Sequence, residues 1–94
     1  MKLTDLPTGT RIYYTGDMAN QDGFGTITAT TTDKWGQFLD IKLDDGRTIE
    51  QLPLCCFSPE YKGHGGTRFV TIAAYNLYRQ TIADAHNWPY TPAA

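Results

Sequence analysis

The tetrapeptide Asp44-Asp45-Gly46-Arg47 stands between two runs, 37–43 and 48–52, in which apolar and polar side chains alternate. An Asp-Gly pair in that setting is the strongest short-range signal of a β-hairpin, because both residues tolerate positive φ. The alternation puts Leu39, Ile41 and Leu43 on one face of the first run and turns Ile49 the same way in the second. Pro53, which has no N–H to give to a ladder, then ends the pairing. Upstream, 25–32 alternates too, with Ile27, Ala29 and Thr31 predicted on a common face, and 33–36 turns it into 37–43. The β-branched and aromatic segment 11–15 reads as one more strand, separated from 25–32 by a loop over 16–23.

Downstream, the apolar 54–57 predicts a single helical turn or a last short strand that plugs a small barrel. A Gly-rich connection, 58–66, leads to a change of period. Over 67–86, Val70, Ala74, Tyr75, Leu77, Tyr78, Ile82 and Ala85 form one helical stripe, with Asn76, Arg79, Gln80, Asp84 and His86 opposite. Thr67 is placed to cap this helix, and Arg68–Ile72 is open to a second reading as a fifth strand, since Phe69 and Ile72 lie off the stripe. Two prolines keep the tail 87–94 extended. The predicted fold is mainly β with one helix: a small barrel of four to five antiparallel strands plus a C-terminal amphipathic helix, in a single domain over 1–94.

A chain of 94 residues leaves no room for a cofactor domain beside a catalytic one. Its longest stretch without a polar side chain, 52–57, is far short of the ~20 residues of a membrane-spanning helix. The first residues lack the apolar core of a signal peptide, which predicts a cytoplasmic protein. Cys55 and Cys56 are neighbours, too constrained for an ordinary structural disulfide and without the gap that lets two thiolates face one tetrahedral ion with His64 and His86. They read as small buried hydrophobes in a reducing compartment, with no metal.

The formal net charge is −2, which argues against wholesale binding to a phosphate backbone. The charge is unevenly spread. Residues 1–60 carry five bases against nine acids, and residues 61–94 carry Lys62, Arg68 and Arg79 against Asp84 alone. Lys62, His64, Arg68 and Arg79 are therefore the candidate residues for a nucleic-acid contact, weighed against ordinary solvation of a helix and its lead-in. Gly63-His64-Gly65-Gly66-Thr67 could cradle an anion but lacks a phosphate-binding lysine and reads as a turn. His64 has no serine or carboxylate near it in sequence, and Asp17, Asp22, Asp44 and Asp45 are turn formers. These residues predict no enzyme and no cofactor.

Gly9, Arg11, Ile12, Gly23, Gly25, Ile27, Ile41, Leu43 and Asp44 to Arg47 together resemble the SH3-like small barrels, Tudor-like and KOW-like domains in particular, over residues 8–57. The 67–86 helix is an addition to the minimal barrel, and the combination also resembles small accessory proteins of plasmids and phages. Tudor-like domains hold methylated side chains in aromatic cages, and the resemblance implies that Tyr13, Tyr14, Phe24, Trp35 and Phe38 are suitable wall residues. The type II dihydrofolate reductases share such a barrel, but their Val-Gln-Ile-Tyr motif finds only Arg11-Ile12-Tyr13-Tyr14 here, in the wrong strand. The expectation is a protein-binding or adaptor module whose loop face consists of Tyr14, Asp17, Phe24 and Trp35.

Overall fold

A computed structural model describes residues 5–16, 21–63 and 68–94; Asp17, His64 and Thr67 lie outside them. Five strands, β1 (Arg11–Tyr14), β2 (Gly23–Asp33), β3 (Gly36–Leu43), β4 (Thr48–Pro53) and β5 (Phe69–Thr71), precede one helix, α1 (Ile72–His86). They form one sheet in the order β4-β3-β2-β1-β5, antiparallel throughout. The sheet does not close into the predicted barrel. A 3-10 turn at Leu54–Cys56 instead carries the chain from the β4 edge to the β5 edge, where Phe57 forms a parallel bridge with Phe69.

One face of the sheet is apolar because the strand alternation is in register: Ile12 opposes Gly25, Gly25 opposes Leu43, and Ile27 opposes Ile41. Leu6, Ile12, Tyr14, Ile27, Leu39, Ile41, Leu43, Leu52 and Phe69 bury there, with Ile49, Leu54, Cys56 and Phe57 packed against them. Removal of these side chains from water is the main stabilising term of a domain this small. The hairpin turn between β3 and β4 differs in detail from the two-residue form. Gly46 takes φ 98° while Asp45 stays at negative φ, the arrangement of a wider turn ending in a left-handed glycine.

The helix starts later than the sequence period implies. Val70 and Thr71 pair with Tyr13 and Ile12, so ladder hydrogen bonds and a β-branched pair override the helical pattern at 68–71. Thr71 is the N-cap, its hydroxyl oxygen accepting from the Ala74 N–H at 3.2 Å, and Asn87 closes the helix in the left-handed conformation.

The helix packs on the opposite face of the sheet through aromatic rings. Tyr75 lies 4.5 Å from Tyr13 and 5.0 Å from Phe24, centroid to centroid, and Tyr61 bridges Tyr75 and Tyr78. Leu77, a member of the predicted apolar stripe, is 70% exposed, because the rings of Tyr75 and Tyr78 turn their side of the helix to the sheet and to Tyr61 and leave Leu77 outward. Asn76 was expected on the solvent side. It is half-buried beneath the tail, which it holds by hydrogen bonds to both Ala93 N–H and Ala93 O and from the Tyr90 hydroxyl. No helix among the described residues is long and apolar enough to cross a membrane.

Burial and the hydrogen bond to Asp22 push the Tyr13 phenol far above its ordinary pKa, and burial raises that of Tyr75. Both shifts favour the neutral ring in the folded chain. Their stabilisation is intact below about pH 10 and is lost as pH rises above it, where the unfolded chain releases protons that the folded one retains. Urea titrations between pH 9 and pH 11.5 should show the stability falling with pH, and Tyr13→Phe with Tyr75→Phe should flatten that fall.

Candidate functional site at the hairpin tip

The described members of the expected loop face, Tyr14, Phe24 and Trp35, do not come together. Tyr14 is fully buried, since β1 sends alternate side chains to opposite faces and Tyr14 points to the core. Phe24, with Tyr13, is taken up by the helix contact. Trp35 is at the far end of β2 from Phe24, 77% exposed at the tip of the β2–β3 hairpin. Of the expected residues, Trp35 alone among those described faces solvent as a large aromatic.

Two β-bulges give that tip a different set of neighbours. Between Ile27 and Ala29 the β2–β3 register shifts, so Thr28 is an extra residue and the alternation of β2 inverts beyond it. Ala29 and Thr31, expected to share the face of Ile27, therefore lie with Asp40 and Phe38 on the other side. Between Leu39 and Ile41 the β3–β4 register shifts as well, and here the extra residue is in β4. Gln51 takes φ 54° at this bulge, a left-handed conformation that costs a non-glycine residue about 1–2 kcal/mol.

Asp40 sits between the two irregularities. Its carboxylate accepts the Gln51 N–H at 2.9 Å, and its carbonyl accepts the Thr28 hydroxyl at 3.3 Å. Asp33 fixes the turn, its carboxylate accepting the Trp35 N–H at 2.7 Å. The result is a cleft of about 350 Å³ lined by Thr31, Asp33, Trp35, Phe38, Asp40 and Gln51. The ammonium of Lys34 lies 5.0 Å from the Trp35 ring centroid, a cation–π contact. Trp35 and Phe38 also border a second cleft, reaching Pro53, Leu54, Cys55 and Phe57.

Compared with protein-family models, curated proteins and solved structures, the chain matches none of them. The cleft is thus read from its own chemistry: a large aromatic surface, two carboxylates and an amide side chain on a strained backbone.

The basic residues singled out in the sequence sit on separate elements. Lys62 and Arg68 are exposed on either side of the undescribed 64–67, and Arg79 is exposed on α1 near Tyr75. Cys55 is exposed, contrary to the expectation of two buried thiols, because the 3-10 turn points consecutive side chains in different directions. Cys56 is half-buried, and burial followed by the neighbouring Cys55 raises its thiol pKa. Both thiols are free. The turn acids are structural: Asp44 makes a paired ion contact with Arg11 at 2.7 and 2.8 Å, and Asp45 holds Arg47.

Phe38 was legible as an aromatic of suitable type. Asp40 and Gln51 were not, since nothing in a polar Asp-Ile-Lys or Glu-Gln-Leu string signals a bulge. If the Gln51 strain serves the cleft rather than the fold, Gln51→Gly should leave stability unchanged or raise it by up to about 1 kcal/mol, as read from a urea unfolding curve.

Proposed function

We propose that this chain is a non-enzymatic protein-binding module whose site is the hairpin-tip cleft, and that it takes a lysine or arginine side chain from an extended segment of a partner. The observation that carries this is Trp35, 77% exposed beside the carboxylates of Asp33 and Asp40. An exposed indole flanked by negative charge attracts a cation both to its ring face and to the acids. The contact already made by Lys34 is of the same chemical kind. Exposed aromatic anchors supply a large share of the energy of protein interfaces, and an acidic chain favours a basic partner.

The five-stranded sheet with its 3-10 plug supports an SH3-like ancestry in which the barrel has stayed open. Two free adjacent thiols fit a reducing, cytoplasmic setting.

Short extended peptides bearing Lys or Arg, and their Gln counterparts, test the reading by Trp35 fluorescence in a Trp88→Phe background. The basic peptides should saturate the signal, and Trp35→Ala, scored by peptide anisotropy, should weaken binding by roughly thirtyfold, corresponding to about 2 kcal/mol. Equal binding of the Gln peptides, or undiminished binding by Trp35→Ala, would overturn it. A parallel titration with an oligonucleotide at two salt concentrations addresses Lys62, Arg68 and Arg79: steeply salt-dependent binding that weakens in Arg68→Ala with Arg79→Ala would reassign the chain to nucleic acid.

A further inference from the structure

The sheet manages its edges unequally. On β4 the outer edge carries Glu50, the left-handed Gln51 and Pro53, all of which obstruct pairing with another strand. The β5 edge is covered by 56–58, where Ser58 N–H reaches Phe69 O at 3.1 Å and Arg68 N–H reaches Cys56 O at 3.0 Å.

The long strand β2 is different. Its side away from β3 is paired with β1 only from Gly23 to Thr26, and the backbone of Ile27 is satisfied by Gly9 and Thr10. Beyond Ile27, among the described residues, that edge meets no strand. Thr28, Ala29, Thr30, Thr31 and Thr32 follow in extended conformation, with all four threonines exposed. Every second residue here turns its N–H and C=O outward, and the segment contains no charge and no proline.

We infer that the free β2 edge at Thr28–Thr32 pairs antiparallel with the same edge of a second copy of this chain, joining two sheets across a two-fold axis at Thr30. The segment is its own complement: about that axis Thr28 faces Thr32, Ala29 faces Thr31 and Thr30 faces Thr30. No like charges oppose one another, and Thr–Thr pairs are favourable cross-strand partners. The register is also bounded. One residue further, Asp33 of either copy comes level with Ile27 of the other, whose edge Gly9 and Thr10 already occupy. Pairing therefore uses up the free edge of both copies and stops at two, the closed arrangement of an isologous dimer. A charged group at the partner's edge would lose this match, which is why a second copy is the occupant.

Thr31 belongs both to the free edge and to the lining of the Trp35 cleft. The edge pairs through backbone groups, however, and the cleft binds through the side chains of Asp33, Trp35 and Asp40, so Thr30→Lys and Trp35→Ala separate dimerisation from peptide binding. Five paired residues make a small contact, so the dimer is weak and forms by mass action over roughly 10 μM to 1 mM. Sedimentation equilibrium across that range should show the mass rising from 10.5 kDa toward twice that value. Thr30→Lys sets two ammonium groups opposite each other and should hold the chain at monomer mass throughout, with an unchanged circular dichroism spectrum and melting temperature measured at low concentration. Thr30→Cys in a Cys55→Ser background should form an intermolecular disulfide on mild oxidation, and Thr48→Cys on β4 in the same background should not. Monomer mass for the unmodified chain at the highest concentration, a dimer that persists in Thr30→Lys, or equal crosslinking through Thr48→Cys would each overturn the inference.

Discussion

Phe69→Ala should lower the unfolding free energy by about 3–5 kcal/mol, enough to leave a domain of this size close to its unfolding threshold. Phe69 is fully buried, its ring lies 5.3 Å from that of Phe57, and it pairs with Tyr14. One side chain thus joins the last strand, the first strand and the segment after the 3-10 turn. Truncation leaves a cavity where these three meet, and the strand that frames it is only three residues long. Urea unfolding followed by circular dichroism reads the loss directly. Leu77→Ala is the matched control: a similar truncation at an exposed position, expected to change stability by less than about 0.5 kcal/mol.

A comparable loss, about 3 kcal/mol or more, should follow Gly25→Val, for the opposite reason of excess volume. A Cβ at Gly25 would lie 2.7 Å from the Lys42 carbonyl oxygen and 3.0 and 3.1 Å from side-chain carbons of Leu43 and Ile41. Side chains can shift by tenths of an ångström, but a carbonyl fixed in the β2–β3 ladder cannot. At Gly25 the neighbouring strand β3 leaves no room for a side chain, and the melting temperature of Gly25→Val should fall sharply or the chain should fail to fold.

The strands were legible because their signal is local. Leu39, Ile41 and Leu43 repeat at the period of a pleated strand, and Gly46 sits where a turn needs a left-handed residue. The extent of β2 was less legible, since a bulge at Thr28 changes which face each later side chain takes without changing composition. The start of the helix was hidden for a related reason: Val70 and Thr71 fit either period, and pairing with β1, residues 12 and 13, decides between them. The site was the least legible part. Tyr14 and Phe24 have the residue types of a binding surface, yet the core and the helix claim them. Asp40 and Gln51, which shape the cleft, acquire that role only from the pairing of three strands.

The position of β5 has a consequence for how the chain is made. β1 is synthesised before every other described strand, but its second neighbour in the sheet arrives only with Phe69–Thr71. Until Thr71 has left the ribosome, β1 can pair with β2 alone, and its other edge stays open to water and to neighbouring nascent chains. Such distant pairing slows folding relative to local hairpins and prolongs the exposure of an aggregation-prone edge. The hairpins of β2, β3 and β4 can therefore form during translation, while the sheet becomes whole only after its last strand emerges.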